Sequence, residues 1–390
     1  MRCTQLKNKS SQKFNENTLK VLVFINVDWF ALSHFKHYLN SITIAGNELI
    51  IVTRNTGKIN ELKEITSNVV EIDLKRGYVG IIKELIIIWK LFFILKNSNA
   101  EVFEFISIKP IVFGGLISKF LSIKKVVYYL SGLGSQFTDE SKKGMIKRYF
   151  FTFVYKTIMN SKNSTVLVEN EDDFYKFKSI LNIHSNQLKI IKGVGVDLKK
   201  FKPKYKNKEN KTSLKILMVS RLLYDKGLVE FFQAAEKIYL ENKNVEFLLA
   251  GAMDKSNPAC ISSRDYRDQK NKGIVKFLGH QDDISMLLRE VDIFVLPSYR
   301  EGFPRVIMEA SASGLPIVTT NVPGCRSAII NNSTGILVEP KNYLALAGGI
   351  NTLIKDFKLR KKMSLEGRRF SKQNFNEHSI SEKHIQSWSE

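Results

Sequence analysis

Cysteine is scarce in this sequence. Its 390 residues hold three, Cys3, Cys260 and Cys325, scattered and odd in number. Neither a disulfide framework nor a paired-cysteine zinc spacing can be built from them, so a reducing cytoplasm fits. The opening residues, Met-Arg-Cys-Thr-Gln-Leu-Lys-Asn, are polar and lack the apolar core of a signal peptide. The most apolar stretch, residues 79–95, is too short for a membrane span and is interrupted by Lys83, Glu84 and Lys90. Also missing are an Asp-x-Asp pair at a strand end, a His/Cys metal spacing, a Walker loop and a GxSxG or Ser/His/Asp arrangement. Nothing therefore calls for a metal, a P-loop or a serine nucleophile.

Acid is in deficit as well. Lys and Arg number 60 against 38 Asp and Glu, a formal net charge of +22. Residues 1–200 carry 30 basic and 17 acidic side chains, so the excess is larger in the first half. Such a balance suits an anionic partner: nucleotide, nucleic acid, phospholipid or polyprenyl phosphate. It equally fits a Lys-, Asn- and Ile-rich composition with no partner behind it. Apolar residues make up 44% of the chain, enough for real cores, and the length favours two or three domains.

What is present is an alternation of strands and helices. Residues 19–26, 49–53 and 69–72 read as strands, with 27–34 as a loop and 35–45 as a helix. Residues 79–95 read as a mostly buried helix whose apolar side is Leu85, Ile86, Trp89 and Phe93. Strands follow at 102–106 and 124–130, the latter ending in Ser131-Gly132-Leu133-Gly134-Ser135. Residues 166–172 run from a strand into an acidic helix start. The stretch 199–212, lysine- and asparagine-rich with a proline, is a linker by composition. A second set of strands begins at 214–220 and continues at 246–251 and 275–280. The alternation calls for parallel sheets covered by helices on both faces.

The densest chemistry lies at 291–320. Residues 291–296 form an apolar run that reads as a buried strand. The loop Pro297-Ser298-Tyr299-Arg300-Glu301-Gly302-Phe303-Pro304 follows, then a helix ending at Gly314, then a strand at 315–320. This is one right-handed crossover of a parallel sheet. Ligands of open α/β sheets bind at its carboxyl edge, where a helix start offers free N–H groups and a positive dipole end. Glu301 in the loop and Glu309 in the first helical turns can accept hydrogen bonds from sugar hydroxyls there. Spacing alone also allows a solvated loop residue and a helix-surface residue. Arg221 and Lys226, in Ser-Arg-Leu-Leu-Tyr-Asp-Lys-Gly at 220–227, stand at another strand end. They can clamp a diphosphate, one as a fork and one as a point charge, or form a solvated basic turn.

Glu301-Gly302-Phe303-Pro304 with Glu309 eight positions on, then Gly314-Leu315-Pro316-Ile317-Val318 and Val322-Pro323-Gly324, closely resembles the donor-site signature of family 4 glycosyltransferases. Arg221 and Lys226 resemble that family's diphosphate motif. The resemblance covers nearly the whole chain and is densest over 214–340. It implies an α/β chain of the GT-B class, two doubly wound Rossmann-like domains facing across a cleft. The acceptor domain would span 1–198, the linker 199–212 and the donor domain 213–370, with a C-terminal helix, 371–390, crossing back. The implied reaction is retaining transfer of a sugar from a UDP-sugar to a hydroxyl. Glu301 would meet the sugar hydroxyls and Glu309 the ribose. The backbone of Gly302, Phe303 and Pro304 would lie along the sugar and diphosphate, and that around Phe277 and Leu278 along the base. Arg221 and Lys226 would act with Glu301 in catalysis by stabilising the departing diphosphate. The UDP-sugar is a co-substrate, and neither a metal nor another cofactor is implied.

In the first half the sequence is similar to the capsule and O-antigen branch of the family. Residues 27–34 carry none of the glycines that many relatives place in this loop. That branch builds lipid-linked polysaccharide repeats. It implies a sugar on undecaprenyl diphosphate as acceptor and a cytoplasmic enzyme, peripheral on the inner face of the bacterial cytoplasmic membrane, with no nucleic-acid partner. The sharpest expectation is transfer of N-acetylgalactosamine in an α-1,3 linkage. Acceptor-side contacts are expected from Asp28, Ser33 and Ser131, the last standing where relatives carry a histidine before Gly-Leu-Gly. Two other classes stay open. A GT-B-shaped UDP-sugar epimerase would need acid–base groups from both domains. A basic nucleic-acid-binding protein would need a recognised module, and the charge here is spread rather than clustered.

Residues 142–156 interleave Lys142, Lys143, Lys147, Arg148 and Lys156 with aromatic and aliphatic residues at helical spacing. Such a helix lies on an anionic bilayer, or else packs in a core with its basic face in water.

Overall fold

The computed structural model describes residues 18–75, 77, 80–132, 142–204 and 213–388. Cys3, the residues 133–135 that follow Ser131-Gly132, most of the linker and the side chains of Lys142 and Lys143 lie outside the described part. Two all-parallel sheets organise the chain. The first has the order β3-β2-β1-β4-β5-β6-β7, from β1 Lys20–Ile25, β2 Glu48–Thr53, β3 Val69–Glu71, β4 Val102–Ile106, β5 Lys125–Leu130, β6 Ser164–Val168 and β7 Leu188–Ile190. The second has the order β10-β9-β8-β11-β12-β13, from β8 Leu214–Val219, β9 Val245–Ala250, β10 Val275–Gly279, β11 Ile293–Leu296, β12 Ile317–Thr320 and β13 Gly335–Val338.

Helices cover both faces of each sheet. They are α1 Asp28–Ile44, α2 Ile59–Lys63, α3 Ile81–Asn97, α4 Ile108–Ser118, α5 Lys142–Met159 and α6 Glu171–Leu181 around the first. Around the second are α7 Leu228–Glu241, α8 Ser263–Lys272, α9 Ile284–Glu290, α10 Arg305–Ala312, α11 Pro323–Ala328, α12 Tyr343–Lys355 and α13 Phe357–Asn374, with α14 Glu377–Gln386 last. Because neither sheet face is wet, strands read as continuous apolar runs instead of alternating ones. β1 sends Leu22 and Phe24 into one core and Val21, Val23 and Ile25 into the other. In each sheet the order reverses beside the first strand, between β1 and β4 and between β8 and β11, which opens a crevice at the carboxyl edge.

Two elements differ from the sequence reading. The expected loop at 27–34 is helix, because α1 begins at Asp28, directly after β1. The Asp28 carboxylate accepts the backbone N–H groups of Trp29 (2.7 Å), Thr56 (2.7 Å) and Lys58 (2.8 Å). It thereby ties the helix start to the segment after β2, and a negative charge at that end suits the dipole.

The second difference is α3. Its buried residues are Glu84, Ile87, Leu91 and Leu95. The side read as buried faces outward, with Leu85 59%, Ile86 48%, Trp89 63% and Phe93 42% exposed. Glu84 turns inward because Lys109 of α4 pairs with it at 2.7 Å, and this fixes the rotation of the helix. α4 packs between α3 and α5. α5 buries Val154, Tyr155 and Ile158 and exposes Met145, Ile146, Tyr149, Phe150 and Phe153.

The chain passes into the second domain after Val196 and returns at Phe375. The two passages are hydrogen-bonded side by side, Val196 N to Phe375 O at 2.8 Å and Glu377 N to Val196 O at 3.4 Å. α14 then packs on α1 and drives Ile380, His384 and Trp388 into the first domain. His384 Nε2 lies 2.8 Å from Glu104 Oε1 in the middle of β4, and the His384 ring stacks on Tyr38 at 3.9 Å.

Candidate active site between the domains

The crevice between β8 and β11 is lined by charge. From β8 the chain runs through Arg221 to a single 3₁₀ turn, Tyr224–Lys226, and Gly227 starts α7 with φ of 75°. A Cβ on Gly227 would stand 2.1 Å from Pro297 O, so only glycine lets this turn press against the loop after β11. That contact delivers Lys226. Its Nζ donates to Glu301 Oε1 at 2.7 Å, and Ser298 Oγ donates to the same oxygen at 2.7 Å. Both partners are largely buried, so the contact is a charge-assisted hydrogen bond in a low-dielectric setting. Arg221, half exposed, pairs with Asp254 Oδ2 at 2.8 Å, and Ser256 Oγ braces Asp254 at 2.6 Å.

α10 starts behind this loop, after Pro304, and its first N–H groups have no side-chain cap. Arg305 Nε lies 2.9 Å from Glu309 Oε1, one turn on. Burial holds the Glu309 carboxyl above the usual range, against the pull of Arg305 and Lys200. Below the loop, burial and then the Glu301 charge push the Cys325 thiol up to about 12, so it stays protonated and unreactive.

The loop backbone is gripped from both sides. A Cβ on Gly324 would come 2.2 Å from Gly302 O. A Cβ on Gly302 would come 2.7 Å from Glu169 Oε2 and 2.9 Å from Ser131 O, both in the first domain. Asn170 Nδ2 donates to Gly302 O at 2.9 Å, and Arg326 Nη2 meets Asp172 Oδ1 at 2.8 Å. The Phe303 ring packs on Phe375 at the return passage, 5.7 Å between centroids, so only its backbone faces the crevice. Phe277 and Leu278 lie on the edge strand β10. The Phe277 ring packs on Phe232 and Tyr266, and Leu278 O accepts from Gln281 Nε2 at 2.8 Å.

The first-domain wall differs from the expected one. Asp28 does not face an acceptor: it is fully buried, and its oxygens are occupied by Trp29, Thr56 and Lys58. Burial opposes its charge, but the hydrogen bonds from Thr56, Lys58 and Trp29 win and hold its carboxyl below the usual value. Ser33 is exposed, its Oγ 2.7 Å from His34 Nδ1. Ser131 is exposed and turns its carbonyl toward Gly302.

Two residues that sequence reasoning missed, His34 and Glu169, belong to this wall, and Ser107 nearby in the sheet order carries an unusual backbone. His34 is half-buried opposite the basic clamp; burial and then the charges of Arg305 and Arg221 push its pKa down to about 3, so the ring is neutral. Its place inside a supposed loop hid it. Ser107, at the end of β4, holds φ of 82° and ψ of 160°, a region that favours glycine. Glu169 directly follows β6; the first acid after an apolar strand was the available signal, and the acidic helix start that comes next masked it. Among the described residues no group of three His, Cys, Asp or Glu side chains could hold a metal ion.

Residues 199–370 match the family description Glycosyl transferases group 1, and residues 20–170 match Glycosyl transferase 4-like. The N,N'-diacetylbacillosaminyl-diphospho-undecaprenol alpha-1,3-N-acetylgalactosaminyltransferase of Campylobacter jejuni is 32% identical over 80% of this chain and 84% of its own. This chain is a family 4 glycosyltransferase of the GT-B fold. The UDP-Gal:alpha-D-GlcNAc-diphosphoundecaprenol alpha-1,3-galactosyltransferase of Escherichia coli is 27% identical over 67% of this chain and 68% of its own. Anabaena HepE, solved in complex with UDP and glucose, superposes with a TM-score of 0.76 over 95% of this glycosyltransferase and 99% of that chain, at 19% identity. That likeness concerns the fold alone.

Proposed function

We propose that this glycosyltransferase moves a sugar from a UDP-sugar to a sugar carried on undecaprenyl diphosphate, with retention at the anomeric carbon. Its specific transfer is of N-acetylgalactosamine in an α-1,3 linkage. The observation that carries the reading is the 32% identity to the Campylobacter jejuni enzyme along 84% of that protein.

In this reading the bond from the anomeric carbon to the UDP oxygen breaks as the acceptor hydroxyl attacks from the same face. The hydroxyl proton passes to the departing phosphate, so no protein base is required. Negative charge grows on the diphosphate, and Lys226, Arg221 and the first turn of α10 stabilise it more as it grows. These cations are the chain's own, so the reaction needs no divalent metal. Glu301, already oriented by Lys226 and Ser298, receives the donor-sugar hydroxyls, and Glu309 the ribose.

The acceptor's lipid calls for a bilayer. No helix among the described residues is long and apolar enough to cross one. The outward faces of α3 and α5 supply the alternative: Trp89, Phe93, Ile146, Tyr149 and Phe150 are exposed, with Lys83, Lys90, Lys147 and Lys156 exposed among them. Apolar side chains that enter the acyl boundary, ringed by lysines that meet anionic headgroups, fit a peripheral enzyme on a cytoplasmic leaflet.

The deciding experiment offers a panel of UDP-sugars with synthetic lipid-diphosphate sugars and reads product mass and anomeric configuration. An added N-acetylhexosamine with the α configuration is expected. UDP release or donor epimerisation without an acceptor would favour a UDP-sugar epimerase and overturn the reading.

A further inference from the structure

We propose that Glu169 is a positioning residue for the transfer: through its carboxyl, the first domain holds the Glu301–Pro304 loop in the closed arrangement that grips the donor. Glu169 stands at the carboxyl end of β6, 5% exposed. Its Oε1 accepts from Tyr129 Oη at 3.0 Å. Its Oε2 points at the loop, 2.7 Å from where a Gly302 Cβ would stand. The next residues reinforce the grip. Asn170 donates to Gly302 O at 2.9 Å and to Asp173 Oδ2 at 3.0 Å, and Asp172 holds Arg326.

The groups around the carboxyl decide the form in which it works. Glu301 faces it from the donor loop, Asp173 from α6 and Tyr129 from β5. Burial first, then the charges of Asp173 and Glu301, against the Tyr129 hydrogen bond, push it up to about 8. At neutral pH the closed enzyme therefore keeps Glu169 protonated, as a hydrogen-bonding acid pressed on the loop. Ionised, it would set a second negative charge against Glu301.

Opening the cleft gives the carboxyl to water, where its ordinary value is 4.5. The closed form thus binds a proton that the open form lacks. Its advantage over the open form is fully present below about pH 4.5, declines as pH rises, and is gone above about pH 8.

The test uses the full chain without ligand, and only its second readout rests on the UDP-sugar reading. Small-angle scattering from about pH 5 to about pH 9 should show the wild type expanding as the domains part. Glu169→Gln keeps an uncharged hydrogen-bonding group and should stay compact throughout. A constant wild-type radius of gyration overturns the proposal whether or not the variant folds. A folded variant that expands like the wild type overturns it as well. In the second readout, kcat at saturating UDP-sugar should fall about tenfold between pH 7 and pH 9 in the wild type and stay level in Glu169→Gln. If no UDP-sugar is turned over, the donor reading fails and scattering still decides the role of Glu169.

Discussion

Lys226 and Glu301, 75 positions apart, share one short charged contact, Nζ to Oε1 at 2.7 Å, and Ser298 completes it on the same oxygen. In the proposed reaction this contact joins the cation assigned to the diphosphate to the carboxylate assigned to the sugar. Bond cleavage separates just these two parts of the donor. A lysine already held in place would not have to be reoriented as the phosphate charge grows, which is the origin the proposed reaction gives to its effect on rate.

Arg221→Ala and Lys226→Ala should each lower kcat by roughly a hundredfold, about 3 kcal/mol, with a smaller change in KM. Steady-state kinetics with varied UDP-sugar measures the split. A raised KM with kcat intact would remove the transition-state role. Lys226→Ala also strands the buried Glu301 charge, so it should lower the melting temperature more than Arg221→Ala does.

Gly302→Ala should remove activity while leaving both sheets folded. The added methyl would stand 2.7 Å from Glu169 Oε2, 2.9 Å from Ser131 O and 3.1 Å from Gly132 N, two of these being backbone atoms that cannot rotate away. The loop and the first domain must part. UDP binding by calorimetry should weaken, while the circular dichroism spectrum stays that of the wild type.

Activity should survive EDTA. In the proposed reaction the charge on the departing diphosphate is assigned to Lys226, Arg221 and the α10 start, all parts of this chain. A complete loss restored only by Mn²⁺ or Mg²⁺ would overturn the metal-independent reaction.

On anionic vesicles the two kinds of side chain on α3 and α5 should separate by salt. Replacing Lys83, Lys90, Lys147 and Lys156 with Gln should weaken binding at low ionic strength. The difference should shrink as salt rises, since each lysine is worth about 1 kcal/mol within a Debye length of about 8 Å at physiological salt. Replacing Leu85, Ile86 and Trp89 with Ser should weaken binding equally at all salt concentrations. Vesicle co-sedimentation reads both. Turnover of a short water-soluble acceptor should be unchanged in each, because only the lipid-linked acceptor needs the bilayer.

The second domain was legible because its chemistry is local. Arg221, Lys226 and Glu301 follow shortly after a strand end and Glu309 lies in the helix that the same loop leads into, and strand ends show in apolar runs. The first domain was harder to read for two physical reasons. Asp28 starts a helix through bonds to Thr56 and Lys58, some 30 positions on, and no local pattern reports such a partner. In α3 apolar residues stand on every side of the helix, so periodicity cannot say which side is buried; the Glu84–Lys109 pair decides it. His34 and Glu169 acquire their setting only when the two domains meet, which lies beyond any single stretch of sequence.

The α14 contacts bear on how the protein is made. Ile380, His384 and Trp388 fill part of the first domain's core, yet they follow the entire second domain in chain order. During synthesis Glu104, wholly enclosed in the finished sheet, waits for its His384 partner until the whole second domain has left the ribosome. The first domain starts before the second and is finished after it. The nascent enzyme therefore has no completed first domain until its second domain already exists.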